Sequence, residues 1–151
     1  MDSLKERLRN DLTASMRTRD ELRLSTLRMV LTAITNTEVA GATPRKLSDS
    51  DVLAVLTKEA KKRHEAADAF RDGGRTDRAE REEAEAGVIA EYLPAPLSDD
   101  ELVAMVEAAV AETGASSPRD MGAVMKVLQP RTAGRADGAR VAAAVKARLQ
   151  S

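Results

Sequence analysis

Apolar residues recur every three or four positions along most of the chain, which is the spacing of a helix that buries one face. The first stripe consists of Leu4, Leu8, Leu12 and Met16. Ser3, with Glu6 three residues later, predicts a capping box at the start of this helix. Similar combinations of a start signal and an apolar stripe predict six more helices, and the sequence has no strand-like alternation of useful length. The pattern therefore predicts an all-α protein of seven helices.

Turn residues predict where the next three helices begin and end. The second helix begins near Asp20, and Gly41 is expected to end it in a left-handed conformation. The third runs from a cap at Ser48 to Phe70, before the break DGGR. The fourth, TDRAEREEAEAGVIAEYL, is polar until Val88. We therefore expect only the C-terminal end of the fourth helix to be firmly packed.

Two prolines in the segment LPAPLS interrupt the helical pattern between the fourth and fifth helices. Proline disfavours helix at its own position and at the residue before it. We therefore predict an N-terminal four-helix domain, residues 1–93, and a C-terminal three-helix domain, residues 97–151. Within the second domain, Pro118 opens the sixth helix, Pro130 is expected to stop it, and Asp137 starts the last helix.

Composition narrows the class of protein. Aromatic residues make up 1% of the 151 residues, and the apolar residues are mostly Ala, Leu, Val and Met, which are largely good helix formers. The chain has no cysteine, which excludes disulfide frameworks and thiolate metal sites and suits a reducing cytosol. The sequence has neither an apolar signal core nor a run of eighteen apolar residues, so we expect a cytoplasmic protein with no membrane partner.

The formal net charge of -1 hides an uneven distribution along the chain. Residues 1–47 carry a net charge of +3, residues 48–113 carry -9, and residues 114–151 carry +5. Such asymmetry indicates one end that faces a polyanion beside an acidic flank, although alternating surface charge is the commoner explanation.

Catalytic and metal-binding motifs are incomplete in this sequence. The segment HEAAD, from His64 to Asp68, resembles a zinc-binding helix motif, but an aspartate stands where the second imidazole belongs. With one His and no Cys, a tetrahedral zinc site would need three carboxylates, which is an unusual set for zinc. The acids of REEAEAGVIAE lack an apolar pocket and are expected to form a solvated helix face, with pairs such as Asp77 with Arg81. We therefore assign no catalytic residue, no metal and no cofactor.

The basic C-terminal third is the part of the chain whose residues most strongly indicate a binding surface. Arg131 and Arg135 lie in the turn QPRTAGRADG, where Gly134 and Gly138 allow a partner to approach the backbone. The start of the last helix adds free amide donors, and this combination suits phosphate oxygens. Because aromatic residues are scarce, we expect any bound RNA to be recognised by its shape and backbone. A helix-turn-helix hairpin with solvated cations would give the same pattern, and periodicity and charge alone slightly favour that simpler interpretation.

Three segments resemble the GatB/YqeY family of small bacterial proteins, namely RDELRLSTLRMVLTAI, YLPAPLSDDEL and GASSPRDMGAVMKVLQPRTAGRADGARV. The resemblance covers essentially the whole chain, and the last segment is its most specific part. The residues that match the family pattern there are Gly114, Asp120, Met121, Gly122, Val124, Met125, Gly134, Asp137 and Gly138. The resemblance implies a four-helix domain followed by a three-helix domain similar to the tail of the B subunit of glutamine-dependent tRNA amidotransferase. That tail contacts the elbow of the tRNA, whereas the catalytic centres of the amidotransferase lie in other domains, whose motifs are absent from this sequence.

The resemblance implies a non-catalytic accessory protein that binds tRNA or another structured RNA, with aminoacyl-tRNA or amidotransferase machinery as a further partner. The predicted RNA-binding residues are Lys126, Arg131, Gly134, Arg135, Asp137, Gly138 and Arg140, with Asp137 as the cap that fixes the turn. Gly122 is expected at a close helix crossing, because an interior glycine costs a helix about 1 kcal/mol. Two alternatives stay open, and the oligomeric state is unknown. One is a helical protein-interaction module whose acidic middle binds a basic partner, and the other is a true subunit of an amidotransferase-type complex, a carbon–nitrogen ligase.

Overall fold

The computed structural model describes residues 2–150, and within this range it contains seven α-helices, one short 3-10 helix and no strand. The helices are α1 Leu4–Thr18, α2 Glu21–Glu38, α3 Asp49–Asp72, α4 Thr76–Ala90, α5 Asp99–Thr113, α6 Met121–Thr132 and α7 Gly138–Leu149, with the 3-10 helix Pro118–Asp120 before α6. The prediction of an all-α protein with seven helices is confirmed. None of these helices is both long enough and apolar enough to cross a membrane.

The predicted start signals do form caps. In α1 the Ser3 hydroxyl accepts a hydrogen bond from the Glu6 amide, and the Glu6 carboxylate accepts one from the Ser3 amide, both at 3.2 Å. The same reciprocal arrangement starts α3 and α5, and Asp20 caps α2 by accepting from the Arg23 amide at 3.1 Å. Each cap satisfies a backbone donor that the helix leaves unpaired, which is why short local signals located the starts of α1, α2, α3 and α5 correctly. Pro118, the predicted start of the sixth helix, opens the 3-10 helix instead, and α6 begins at Met121.

Two predicted helix ends are wrong. Helix α2 ends at Glu38 rather than at Gly41, because the Glu38 carbonyl accepts a hydrogen bond from the Arg45 amide at 2.9 Å and the chain folds back. Gly41 lies beyond this point in an exposed loop and has no positive φ. Helix α6 passes through Pro130 and ends at Thr132. Pro130 is on the exposed side of the last turn, where the missing N–H deprives only one carbonyl of its partner.

Contacts between the helices divide the chain into two compact units, one up to Leu93 and one from Pro94 onward. The first unit contains α1 to α4 around a core whose most deeply buried large side chains are Leu8, Leu27, Ile34, Leu56 and Ile89. The second unit contains α5 to α7 around a separate apolar core. Met16, the last residue of the predicted α1 stripe, is 47% exposed, so that stripe packs only in its N-terminal part.

Helix α4 packs along most of its length, which corrects the expectation that only its C-terminal end would be firmly held. Ala79 and Ala86, two turns apart, are fully or almost fully buried, and Ala67 of the neighbouring helix α3 is also fully buried. Alanine side chains are small, so the backbones of α3 and α4 can approach closely and this helix pair has the most extensive contact in the chain. The sequence pattern missed this contact because it identified the apolar face from larger residues.

The acids of α4 are not a simple solvated face either. Arg63 of α3 lies among three carboxylates, with N–O distances of 3.3 Å to Glu59, 3.9 Å to Glu82 and 3.6 Å to Glu85. The exposed fractions of these side chains are 16% for Arg63, 8% for Glu59, 22% for Glu82 and 14% for Glu85. The mostly buried guanidinium of Arg63 is therefore the cation that all three carboxylates share, while Lys62 also pairs with Glu59 and Arg81 with Glu85.

The predicted pair of Asp77 with Arg81 does not form. Asp77 instead accepts two hydrogen bonds from Arg75 at 3.3 Å, and this guanidinium holds the pKa of the Asp77 carboxyl below its ordinary value. Arg81 donates to Glu21 of α2 at 3.0 and 3.1 Å and to Glu85 at 3.2 Å. The spacing of Asp77 and Arg81 along α4 suggested a pair, but Asp77 pairs with Arg75 and Arg81 pairs with Glu21 of α2 instead.

Replacing Arg63 by Met should lower the free energy of unfolding by about 3 kcal/mol, because Glu82 would lose its cation while Glu59 and Glu85 would keep only Lys62 and Arg81. Urea unfolding followed by far-UV circular dichroism measures the change. Lys62→Met is the matched control, since Lys62 is 53% exposed and pairs with Glu59, at 3.1 Å. The control should be destabilised by less than about 1 kcal/mol. Equal destabilisation of the two variants would contradict the role assigned to Arg63.

Tyr92 attaches the C-terminal end of the first unit to α1 through contacts with Asp11 and Arg7. Its side chain is 7% exposed, its hydroxyl donates a hydrogen bond to the Asp11 carboxylate, and the Arg7 guanidinium lies 5.2 Å from the centre of its ring. Burial raises the pKa of Tyr92, and the hydrogen bond to Asp11 adds to this. Arg23 of α2 pairs with the adjacent Glu91 at 2.5 Å. The chain is therefore held on both sides just before the proline segment.

Tyr92→Phe should lower the free energy of unfolding by about 1–2 kcal/mol, because the ring and its contact with Arg7 stay while the hydrogen bond to a carboxylate is removed. Asp11→Asn keeps an acceptor for the hydroxyl and should cost less. Both changes can be measured by urea unfolding. A Phe variant as stable as the wild type would show that Asp11 is equally well hydrated in the folded protein.

Candidate nucleic-acid interface

The predicted RNA-binding residues lie in the second unit, on α6, on α7 and in the turn between them. The unit is organised around fully or almost fully buried side chains of all three helices: Val106, Ala109, Val124, Leu128, Val141 and Val145. Gly134 has a φ of +77°, a left-handed conformation that favours glycine, and it is buried. The Arg135 amide donates to the Thr132 carbonyl at 2.9 Å, which closes the turn. Gly134 thus shapes the turn from inside the unit.

The predicted cap at Asp137 is confirmed. The Asp137 carboxylate accepts a hydrogen bond from the Arg140 amide at 2.9 Å and starts α7. Gly138, the first residue of α7, is exposed, and a side chain placed there would meet no atom within 4 Å. The turn therefore offers one open glycine, at Gly138, beside a helix start that is already capped.

Arg135 and Arg140 hold the segment before α5. The Arg135 guanidinium donates to the Ala95 carbonyl at 3.0 Å and to the Glu101 carboxylate at 3.3 Å. The Arg140 guanidinium donates to the Leu97 carbonyl at 2.8 Å and to the Asp99 carboxylate at 2.7 Å. The Leu97 amide in turn donates to the Arg135 carbonyl at 2.8 Å. Both arginines therefore have a structural role inside the second unit.

Two further arginines pair with α5 in the same way. Arg131 makes a bidentate pair with Glu112, at 2.6 and 2.9 Å, and this guanidinium holds the pKa of the Glu112 carboxyl below its ordinary value. Arg148 of α7 pairs with Glu107. Bidentate pairing of a planar guanidinium with a carboxylate fixes the distance and the orientation of both groups.

Helix α5 collects these arginines because its fifteen residues contain five acids and no cation. Four of the five acids bind one arginine each from the chain that follows. The partners are separated by 19 to 41 residues along the chain, so neither spacing nor charge counting could assign them. Much of the positive charge that the sequence places at the C-terminal end is therefore neutralised within the second unit.

Three cations of the second unit are exposed and have no ion-pair partner in the part of the chain that the structure describes: Arg119, Lys126 and Lys146. Lys126 belongs to the predicted set, whereas Arg119 and Lys146 do not. Both residues contribute to the net charge of +5 over residues 114–151. The prediction chose Arg131, Arg135 and Arg140 instead because they lie in or near the glycine-containing turn.

Gly122 is not at a helix crossing, which corrects the expectation stated for it. A side chain built at this position would meet no atom within 4 Å, and the residue is exposed. The apolar face of α6 is formed instead by Val124 and Leu128, which point toward the core. Gly122 lies on the solvent side of the same helix.

The structure forms no metal centre from its described residues, because no group of three or more His, Asp or Glu side chains could hold an ion there. His64 of the HEAAD segment lies in the first unit, where its Nδ1 is 3.0 Å from a carboxylate oxygen of Glu83.

Asp137→Ala should lower the free energy of unfolding by about 1 kcal/mol, because α7 would start without its cap. Asp137→Asn keeps an oxygen acceptor and should cost much less. Urea unfolding monitored by far-UV circular dichroism compares the two variants. Similar destabilisation of both would mean that the negative charge matters more than the cap.

Comparison with known proteins identifies one family whose sequence pattern covers nearly the whole chain. The sequence model described as Yqey-like protein matches residues 5–149. An uncharacterized protein of Schizosaccharomyces pombe is 38% identical over 88 residues, which cover 58% of this chain and 69% of that protein. Because the family match spans both compact units, the chain belongs to the YqeY-like protein family.

Proposed function

We propose that this protein is a non-catalytic accessory protein that binds tRNA, or another structured RNA, through the phosphate backbone. The second unit makes the contact. The observation that carries the proposal is the charge of the chain after α5, where seven cations face two acids, and three of the cations have no ion-pair partner within residues 2–150. Such a role belongs in the cytoplasm, and we further propose that the four-helix and three-helix units are separate domains.

The chemistry of the second unit suits a phosphate backbone better than unpaired bases. The two aromatic residues of the chain, Phe70 and Tyr92, both lie in the first unit. Proteins that bind single strands usually stack bases on aromatic rings, which this unit lacks. Structured RNA can be recognised by shape and by contacts to phosphates and 2′-hydroxyls.

The predicted contact residues remain Lys126, Arg131, Arg135 and Arg140, with Gly134, Asp137 and Gly138 forming the turn that presents them. Lys126 is directly available. The arginine side chains are between 31% and 43% exposed, so a phosphate can replace a carboxylate as the partner of each guanidinium. Exposed ion pairs are weak, and such an exchange costs little.

The choice of tRNA over other structured RNAs rests on the sequence resemblance of the C-terminal segment to the tail of the B subunit of tRNA amidotransferase. Aminoacyl-tRNA or amidotransferase machinery is accordingly the further partner we propose. Under this proposal the protein is related to a carbon–nitrogen ligase by descent only, because its sequence lacks the motifs of the amidotransferase's catalytic centres. The acidic middle is a weaker candidate surface for a basic protein, because Glu59, Glu82 and Glu85 surround Arg63 and are mostly buried.

Binding of the purified protein to bulk tRNA across a salt series, from about 50 to about 200 mM, tests this function. The wild-type affinity should fall steeply with salt, because each phosphate contact releases counterions. Replacing Lys126, Arg131, Arg135 and Arg140 together by Ala should weaken binding at least about tenfold. The same change should flatten the salt slope by about 0.9 for each phosphate that is no longer neutralised.

A variant with Arg17, Arg28, Lys46 and Lys58 replaced by Ala is the matched control. It removes the same charge from exposed positions of the first unit and should bind almost as tightly as the wild type. Circular dichroism verifies that each variant is folded. Undetectable wild-type binding at low salt, or equal weakening in both variants, would refute the proposal.

A further inference from the structure

The cations of the second unit separate into two groups by their surroundings. Four arginines, in α6, in the turn and in α7, pair with acids of α5. The unpaired cations are Arg119 in the 3-10 helix, Lys126 in α6 and Lys146 in α7. Pairing has therefore neutralised the side of the unit that faces α5 and left the positive charge elsewhere.

Helix geometry turns the unpaired cations of α6 and α7 away from the arginines that contact α5. In α6 successive residues turn by about 100°, so Gly122 and Lys126 lie on the side away from Arg131, which contacts α5. In α7 the same rotation puts Lys146 on the side away from Arg148, which also contacts α5. The 3-10 helix that carries Arg119 contacts both α6 and α7. We call the surface of Arg119, Gly122, Lys126 and Lys146 the α6–α7 face.

The α6–α7 face contains little negative charge. The sequences of α6 and α7 include no acid. Asp120 is the nearest acid along the chain, and its carboxylate accepts hydrogen bonds from the amides of Ser116 and Ser117, at 2.8 and 3.2 Å. A polyanion that approaches this face meets three cations that are already free.

Gly122 gives the same face an open approach to the helix backbone. Gly122 is the second residue of α6, and no neighbouring atom requires the missing side chain at this position. The absence of a side chain leaves room beside Lys126 for a ligand strand to lie against α6. This feature is independent of the charge pattern and is on the same surface.

We infer that the α6–α7 face is the primary site at which the second unit holds the phosphate backbone of structured RNA. Arg131, Arg135 and Arg140 are then secondary contacts that mainly fix the fold. The inference rests on the proposed function and makes it more specific. Lys126 is the one predicted cation that belongs to this face. Phosphate binding here needs no exchange of an existing ion pair, whereas binding at the three arginines does. An open surface with separated cations suits a chain of phosphates better than a single small anion.

Two triple variants that remove the same charge distinguish the surfaces. Arg119, Lys126 and Lys146 are replaced by Ala in the first, and Arg131, Arg135 and Arg140 in the second. At about 50 mM salt the first variant should bind tRNA at least about tenfold more weakly than the wild type, with a salt slope reduced by about 2–3. The second should bind more tightly than the first and only about threefold more weakly than the wild type, because its arginines contact phosphate only after leaving a carboxylate. Circular dichroism verifies that both variants are folded.

Gly122→Leu separates binding from stability. Leucine favours helix and has room at this position, so the variant should unfold at the same or a higher urea concentration than the wild type. Because the side chain occupies the open approach, tRNA affinity should fall at least about fivefold without a change in charge. Gly87→Leu is the matched control, since Gly87 is also an exposed helical glycine with open space, but in the first unit.

The outcomes are distinct. A wild type that binds tRNA, together with unchanged binding by the Arg119, Lys126 and Lys146 variant or by Gly122→Leu, would overturn this inference and leave the proposed function intact. A wild type that fails to bind tRNA would overturn both. Competition by polyglutamate as strong as competition by tRNA, at equal charge concentration, would overturn the choice of RNA in favour of an acidic protein.

Discussion

The excess negative charge of α5 is the constraint on which the second unit depends. Asp99, Asp100 and Glu101 lie in the first turn, where the helix dipole favours negative charge, whereas Glu112, near the C-terminus, is at the unfavourable end. Arginines from α6, the turn and α7 offset this charge. The pairs also determine how the polypeptide enters the unit, because Arg135 and Arg140 bind the backbone carbonyls of Ala95 and Leu97. The same arginine side chains therefore neutralise the acids of α5 and fix the path of the backbone before this helix.

The first unit also pairs acids with cations, but in a more buried setting. The guanidinium of Arg63 is shared by three carboxylates in the narrow space between α3 and α4. Lys62 and Arg81 pair with two of these carboxylates from more exposed positions. This space is narrow because small residues such as Ala67 and Ala79 line the contact. Close packing and partial burial make the cation indispensable there, whereas the pairs of the second unit are more exposed and can be exchanged.

Sequence reasoning predicted what depends on neighbouring residues and missed what depends on distant ones. Caps at Ser3, Asp20 and Asp137 were predicted correctly, because a cap needs only a side chain and an amide three residues away. The end at Gly41 was wrong, because a hydrogen bond between Glu38 and Arg45 ends α2 earlier. The candidate site was found in outline from its charge. Which cations are free depended on acids 19 to 41 residues away, and those pairs exist only after folding.

The distribution of aromatic residues has an optical consequence. Tyr92 is the one tyrosine of a chain without tryptophan, and it is buried against Asp11 and Arg7 in the first unit. Intrinsic tyrosine fluorescence of this protein therefore comes from the first unit, because the second unit contains no aromatic residue. A ligand that changes this emission, after correction for its own ultraviolet absorption, has changed the surroundings of Tyr92.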